Sequence, residues 1–322
     1  MTDINEKRVK KILTKKKRQF CKQDNGRWFP YEGKESDQYV RKMKGITKML
    51  NGKRNITLTQ LSFKDLSYWY LLYSQFLKLC QDDTKGQKEN FIVSTWLGYL
   101  FVQVAHRDVY STPDERVAII MAQCLICGWE KEAYSIAENM LESIELNLPK
   151  KRGDQKTKHN SIGTGSPYTY SSWLLLDIYC LMTNKSYNKE HAQKPDKYEA
   201  FYGDVLKNWN SKDLVKIEKL IYEMCDFHLR GAENKSLEFG DGTNNLFPFE
   251  VYGWLAYRKL NGLENPKEFS HPFMNQVLSQ EIEGNRPFKR PNIEYVRPLF
   301  EMHEKEYPDV KVIELLEDVE KR

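Results

Sequence analysis

Two long uncharged stretches constrain the fold of this chain more than any other feature. They occupy residues 91–105 and 117–129, and both are apolar around the whole circumference of a helix. A helix of this kind needs neighbours on all sides, so each stretch predicts a buried helix. Both are shorter than the ~20 apolar residues that a membrane-spanning helix requires. We therefore expect a large helical core and no membrane association.

Helical periodicity also dominates elsewhere in the chain. Within residues 62–81, large apolar side chains recur at steps of three and four, whereas alternation with a period of two never persists beyond about four residues. Further helices are predicted over residues 36–50, 113–127, 130–146, 168–182, 198–209, 213–229 and 249–260. Short connections predict antiparallel pairs. The expected fold is all-α, with two helical-hairpin subdomains in repeat-like antiparallel packing but without a repeat signature.

The charge is unevenly distributed along the chain. Of its 322 residues, the first 60 hold 17 basic and 6 acidic side chains, so the net charge of +5 conceals a net negative remainder. The lysine-rich stretch over residues 5–21 is interpreted as a solvated helix or frayed terminus in preference to a phosphate-binding arm. Five consecutive segments are expected: a basic N-terminal arm with a short helix (1–60), an N-terminal helical domain (61–149), a linker (150–167), a C-terminal helical domain (168–275) and a charged C-terminal tail (276–322).

Catalytic and metal-binding motifs are missing from the sequence. Cys124 and Cys127 have the spacing of half a zinc site, but no second pair follows, and their apolar surroundings favour buried thiols. The six histidines stand at least thirty residues apart, and there is no phosphate loop or nucleophile elbow. We expect a protein that is not an enzyme and has no metal or cofactor. The low cysteine content and the absence of a signal sequence predict a cytoplasmic location.

Acidic residues cluster around the loop formed by residues 231–248. Such a cluster can be a solvated loop edge, an acid–base or metal site, or a surface that steers a basic partner. The lack of an accompanying base, nucleophile or metal ligand favours recognition over catalysis. A solvated loop edge without a binding function is the remaining alternative. The candidate binding residues are Glu223, Asp226, Glu233, Glu238, Asp241 and Glu250.

One C-terminal stretch carries a family resemblance. An aromatic-Glu pair, Phe249-Glu250, opens a helix; the turn Leu260-Asn-Gly-Leu-Glu264 ends it, and His271-Pro272 follows. This order resembles the signature of PoNi-type immunity proteins, which bacteria make to neutralise their own PoNe nuclease toxins. The match spans about 25 residues.

The resemblance implies a helical, cytoplasmic, non-enzymatic immunity protein of interbacterial competition by type VI or contact-dependent secretion. It would bind a cognate toxin and occlude its active site, although binding at a remote surface stays open, as does a homodimer. A nuclease presents cations to nucleic acid, which suits an acidic inhibitor, so charge reversal at Glu238 and Asp241 is expected to weaken toxin binding. The alternative is a helical-repeat adaptor or nucleic-acid-binding protein that acts through the basic arm.

Overall fold

All regular secondary structure in the described part of the chain is helical, which confirms the predicted all-α class. The computed structural model describes residues 2–22, 37–52, 59–107, 116–145, 169–192, 194–233, 239, 245–279 and 286–320. The helices are α1 (Thr2–Lys22), α2 (Asp37–Leu50), α3 (Thr59–Gln81), α4 (Thr84–Arg107), α5 (Val117–Ile126), α6 (Glu130–Glu145), α7 (Tyr170–Thr183), α8 (Tyr198–Lys207), α9 (Leu214–Glu233), α10 (Phe249–Leu260), α11 (Val296–Glu306) and α12 (Glu314–Glu320). In these ranges, no helix has the length and apolar character needed to cross a bilayer.

The chain divides into two compact units. The first consists of Met1–Ile12 and Thr112–Pro287, and the second of Leu13–Ser111 and Phe288–Arg322. This division differs from the five consecutive segments predicted, because α5 and α6 group with the C-terminal helices. The predicted linker at 150–167 lies outside the described residues.

Helix α5 is the centre of the first unit. All ten of its residues are buried, and it packs against α6, α7 and α10. The approach of α10 is close because Gly253 has no side chain: a Cβ there would lie 2.7 Å from Leu175 Cδ2 and 3.3 Å from Ala122 Cβ. An all-apolar helix must be enclosed on every side, and α6, α7 and α10 supply the neighbours of α5. Helix α5 therefore groups with the C-terminal helices.

The turn between α5 and α6 depends on a glycine. Gly128 has a φ of +75°, and a Cβ there would lie 3.0 Å from the backbone of Pro287. The N–H of Trp129 donates to the Cys124 carbonyl at 2.8 Å, which closes the end of α5. Helix α6 begins one residue later, so the pair fits the predicted hairpin.

In the second unit, α3 and α4 form another closely connected pair. The hydroxyl of Ser67 donates to the Ser94 carbonyl at 2.8 Å, and the hydroxyl of Ser94 donates to the Ser67 carbonyl at 2.8 Å. These small side chains let the two helices approach closely. Phe63 of α3 meets Phe300 of α11 edge to face at 5.6 Å. The predicted charged tail therefore contributes a packed helix.

The N-terminal arm is not a solvated extension, which corrects the interpretation made from its lysine content. Four side chains of α1 are buried, namely those of Asn5, Val9, Lys16 and Phe20. Their spacings of four, seven and four residues place them along one side of the helix. In the second unit, Phe20 packs edge to face on Phe76 with a centroid distance of 6.1 Å.

Candidate functional site

The structure describes four of the six candidate acidic residues. Glu223, Asp226 and Glu233 lie on α9, and Glu250 lies on α10. Glu238 and Asp241 lie outside the described residues. Positions three and seven apart share one side of a helix, so the three carboxylates of α9 form a line. We call Glu223, Asp226 and Glu233 the acidic ridge.

Glu233, at the end of the ridge, is bound by the start of α1. Arg8 donates from Nε to Glu233 Oε1 at 3.0 Å and from Nη2 to Oε2 at 2.6 Å. This two-pronged geometry is the strongest form of an arginine–carboxylate pair. The hydrogen bonds from Arg8 hold the pKa of Glu233 below its usual value, and the carboxylate raises the pKa of Arg8.

Asp226, in the middle of the ridge, belongs to a network centred on the buried side chain of Asn5. The Asn5 amide donates to Asp226 Oδ1 at 2.9 Å and to the Tyr222 hydroxyl at 3.1 Å. Its carbonyl oxygen accepts from Arg8 Nη1 at 3.2 Å. The first two turns of α1 are therefore fixed to α9 by polar contacts, and Val9 in the same turns is buried.

His271, which follows α10 in the chain, also belongs to this network. Its Nδ1 accepts the N–H of Phe273 at 3.1 Å, and its Nε2 lies 3.2 Å from the side-chain nitrogen of Asn5. Nε2 lies 3.4 Å from Asp226 Oδ1. Burial lowers the pKa of His271, although Asp226 acts in the opposite direction. The geometry and the burial both favour a neutral imidazole.

Glu250 does not belong to the acidic ridge. Its side chain is 2 % exposed, and its Oε1 lies 2.7 Å from Nδ1 of His228, which is 1 % exposed. The His228 ring packs against Phe239 and Phe273 at centroid distances of 4.3 and 4.8 Å. The imidazole supplies the hydrogen-bonding partner that a buried carboxylate needs, and a binding partner or substrate cannot reach this pair.

Glu223 is the most exposed member of the ridge. Its side chain is 56 % exposed, and it lies 3.8 Å from Lys219, one turn earlier on α9. A pair of this kind in solvent contributes little to stability. Glu223 is thus the ridge carboxylate that an external partner reaches most readily.

The turn that ends α10 is held by a buried arginine. Arg258 donates to the carbonyl oxygens of Trp209 at 2.9 Å and Glu264 at 2.7 Å, and its Nε donates to the Asn265 side chain at 3.0 Å. Gly262 adopts a φ of +68° in this turn. The buried guanidinium thereby joins the loop after α8 to the segment after α10.

Glu250, His271 and Phe249, three of the residues that carry the family resemblance, are buried, whereas Asn261 and Glu264 of the intervening turn are exposed. Glu250 and His271 are 1 % and 0 % exposed, and Phe249 is 4 % exposed. Their contacts account for their identities by packing and hydrogen bonding alone.

No protein-family model, curated protein or solved structure matches the chain. The resemblance therefore rests on the sequence signature itself. In the residues that the structure describes, no group of three His, Cys, Asp or Glu side chains is placed to hold a metal ion. Cys124 and Cys127 are buried thiols.

Sequence reasoning missed the role of α1 in this site. Asn5 and Arg8 were treated as parts of a basic arm, and His271 only as part of a motif. The signal that was present is the stripe of Asn5, Val9, Lys16 and Phe20, which marks one side of α1 for burial. The stripe does not reveal which helix covers it, because that pairing joins positions more than 200 residues apart.

Proposed function

We propose that this chain is a cytoplasmic bacterial immunity protein that binds a cognate antibacterial toxin, a secreted nuclease, and occludes its active site. In this proposal it is not an enzyme, and its partner is a protein. The class comes from the signature at residues 249–272. The observation that supports a cationic partner is the acidic ridge, where Asp226 and Glu233 already bind polar and basic groups of α1.

The chemistry of a nuclease fits this ridge. An enzyme that binds nucleic acid needs cations around its active site, and carboxylates in a line complement them. Opposite charge also accelerates association, which favours an inhibitor that must act before the toxin reaches DNA or RNA. Glu223 offers an accessible carboxylate, whereas Asp226 and Glu233 are shared with α1.

The test uses the toxin encoded by the adjacent upstream gene. Bacteria that produce this toxin should survive when the chain is co-expressed, and the two proteins should elute as one complex in size-exclusion chromatography. The proposal fails if that gene encodes no toxin, or if the toxin stays lethal and does not bind.

A charge reversal then tests the ridge. Glu223→Lys should lower the association rate constant about tenfold at low ionic strength, with a smaller effect at high salt. Glu301→Lys, which makes the same charge change at an exposed position of α11, is the matched control. Equal rates for both variants would remove the ridge from the interface without affecting the immunity proposal.

A second candidate is nucleic-acid binding through α1. This helix exposes six cations, namely Lys7, Lys10, Lys11, Lys15, Lys17 and Arg18. Deleting the helix would also remove buried side chains, so charge substitution gives a cleaner test. If this candidate holds, a Lys15→Glu/Lys17→Glu variant should bind duplex DNA more weakly and with a shallower salt dependence than the wild type.

A further inference from the structure

The ammonium group of Lys194, in the connection between α7 and α8, lies among three aromatic rings. Its Nζ is 4.6 Å from the ring centre of Tyr198, 5.7 Å from that of Trp173 and 5.8 Å from that of Tyr187. All three distances lie within the ~6 Å over which an aromatic face attracts a cation. We call these three rings, together with Asp177, the ammonium cage.

A carboxylate completes the cage. Asp177 Oδ2 accepts from Lys194 Nζ at 2.7 Å and from the Tyr198 hydroxyl at 2.7 Å, and Oδ1 accepts from the Tyr187 hydroxyl at 2.5 Å. The Asp177 side chain is only 10 % exposed. A buried carboxylate without a cation would be costly, so the cage favours a positively charged occupant.

Trp173, Asp177 and Tyr198 of the cage belong to helices. Trp173 and Asp177 are four residues apart on α7 and therefore share one side of that helix. Tyr198 is the first residue of α8, and it is 2 % exposed, while Trp173 is 1 % exposed. The Lys194 side chain is 26 % exposed, so solvent reaches the cage along its stem. Lys194 is thus more exposed than Trp173 and Tyr198, which belong to the core. Tyr187 is half-buried in the same connection as Lys194.

We propose that the ammonium cage is a binding site for alkylammonium groups and that Lys194 is its tethered competitor. The ligand class is a primary or N-methylated ammonium on an alkyl chain, whether in a free amine or a lysine side chain of another protein. Aromatic faces and a carboxylate recognise both forms, because each retains its positive charge. This proposal does not depend on the immunity function.

Tethering predicts how strongly the two occupants compete. A group held on a short flexible connection acts at an effective concentration of about millimolar. A free amine must exceed that concentration to replace Lys194 in the wild type. Removing the lysine side chain should therefore increase the affinity for a free amine at least tenfold.

The experiment compares Lys194→Ala with the wild type during titration with n-propylammonium chloride. Thermal unfolding and tryptophan fluorescence report on the site, since Trp173 forms one of its walls. Potassium chloride at equal ionic strength controls for salt, and Lys197→Ala removes a nearby exposed lysine. Two further compounds are added separately. Nα-acetyl-lysine amide tests whether the site accepts a lysine side chain as well as a free amine, and tetramethylammonium tests whether it accepts a methylated ammonium.

The expected result is that Lys194→Ala unfolds at a lower temperature and that propylammonium, but not potassium, restores it. The wild type and Lys197→Ala should bind the amine at least tenfold more weakly. Adding Asp177→Asn to Lys194→Ala should abolish binding. If Lys194→Ala is unfolded alone, folding in the presence of propylammonium supports the site. Three results would overturn the proposed site. Lys194→Ala could fold without any amine-specific response, it could bind the amine with the affinity of the wild type, or it could fail to fold with every amine.

Discussion

Arg8 and Glu233 are 225 positions apart in the chain and meet in a two-pronged ion pair. This pair joins the most basic helix to the acidic ridge of α9. The ridge is thus partly neutralised by the chain itself, and a cationic partner that approaches Glu233 must compete with Arg8. The N-terminal arm and the proposed toxin surface are therefore not independent features.

The first prediction concerns this pair. Arg8→Ala should lower the free energy of unfolding by about 0.5–1 kcal/mol, because the two side chains are 23 % and 35 % exposed and solvent screens their attraction. Urea unfolding at low and high salt measures the change, which should shrink at high salt. Lys10→Ala, which removes an exposed cation from the same helix, should have little effect. A double-mutant cycle with Glu233→Ala that gave no coupling would contradict the contact.

The second prediction concerns the pH dependence of stability that arises from His271. Burial lowers its pKa in the native state, whereas in the unfolded chain the value is about 6.5. The unfolded chain therefore binds the proton first as the pH falls below about 6.5, so stability decreases from there down to the native pKa. Above this pH range, His271 does not contribute to the pH dependence of stability.

Comparing His271→Asn with the wild type isolates this contribution. The Asn oxygen can still accept the Phe273 N–H, but the side chain does not titrate. The free energy of unfolding should fall less between pH 7.5 and 5 in the variant than in the wild type. His106→Asn makes the same substitution in the second unit and serves as the control. Identical pH profiles for wild type and His271→Asn would show that His271 contributes no slope.

The third prediction concerns the buried guanidinium of Arg258. Arg258→Ala would remove a fully buried side chain and its hydrogen bonds to the carbonyl oxygens of Trp209 and Glu264. The Trp209 carbonyl keeps the Trp254 Nε1 donor, so the loss of stability should be about 1–3 kcal/mol. Arg258→Lys should recover only part of it, because one ammonium cannot reproduce the planar fork. Urea unfolding provides the measurement, with the exposed neighbour Lys259→Ala as control. A loss below 1 kcal/mol for Arg258→Ala would be inconsistent with the three hydrogen bonds.

The fourth prediction uses two helical glycines as a matched pair. Gly253→Ala would place a Cβ 2.7 Å from Leu175 Cδ2, and overpacking of this kind typically costs 1–3 kcal/mol. Gly203→Ala would place its Cβ 3.3 Å from Glu199 Oε2, at the end of a flexible side chain. It should therefore be neutral or stabilising by up to ~1 kcal/mol through helix propensity. Thermal unfolding of both variants tests the contrast, and a stable Gly253→Ala would refute the close approach of α7 and α10.

Local periodicity was sufficient to predict most helices. The prediction over residues 249–260 coincides with α10, and the one over residues 130–146 differs from α6 by a single residue. Apolar side chains at steps of three and four mark these helices clearly. No helix was predicted over residues 276–322, because their charges obscured a shorter pattern, in which Val296, Leu299, Phe300 and His303 line the buried side of α11.

The candidate site was less predictable, since it depends on contacts between distant positions. Asp226 and Glu233 were chosen for their charge, but the sequence does not indicate that Asn5 and Arg8 bind them. Glu250 has the same charge and lies in the same stretch of chain, yet its carboxylate is buried against His228. Sequence composition cannot distinguish an interior carboxylate from a surface one when each lies near aromatic residues.

The burial of Glu250, Arg258 and His271 has a consequence for how freely the surface of α9 can vary. Glu250, Arg258 and His271 all make hydrogen bonds inside the first unit, and Asp226 is the ridge carboxylate that contacts His271. Substitutions at exposed α9 positions such as Glu223 therefore leave these three residues undisturbed. Under the proposed immunity function, two chains that share this interior can still select different toxins. A library randomised at exposed α9 positions such as Glu223, with the interior held constant, is accordingly a practical route to inhibitors with new targets.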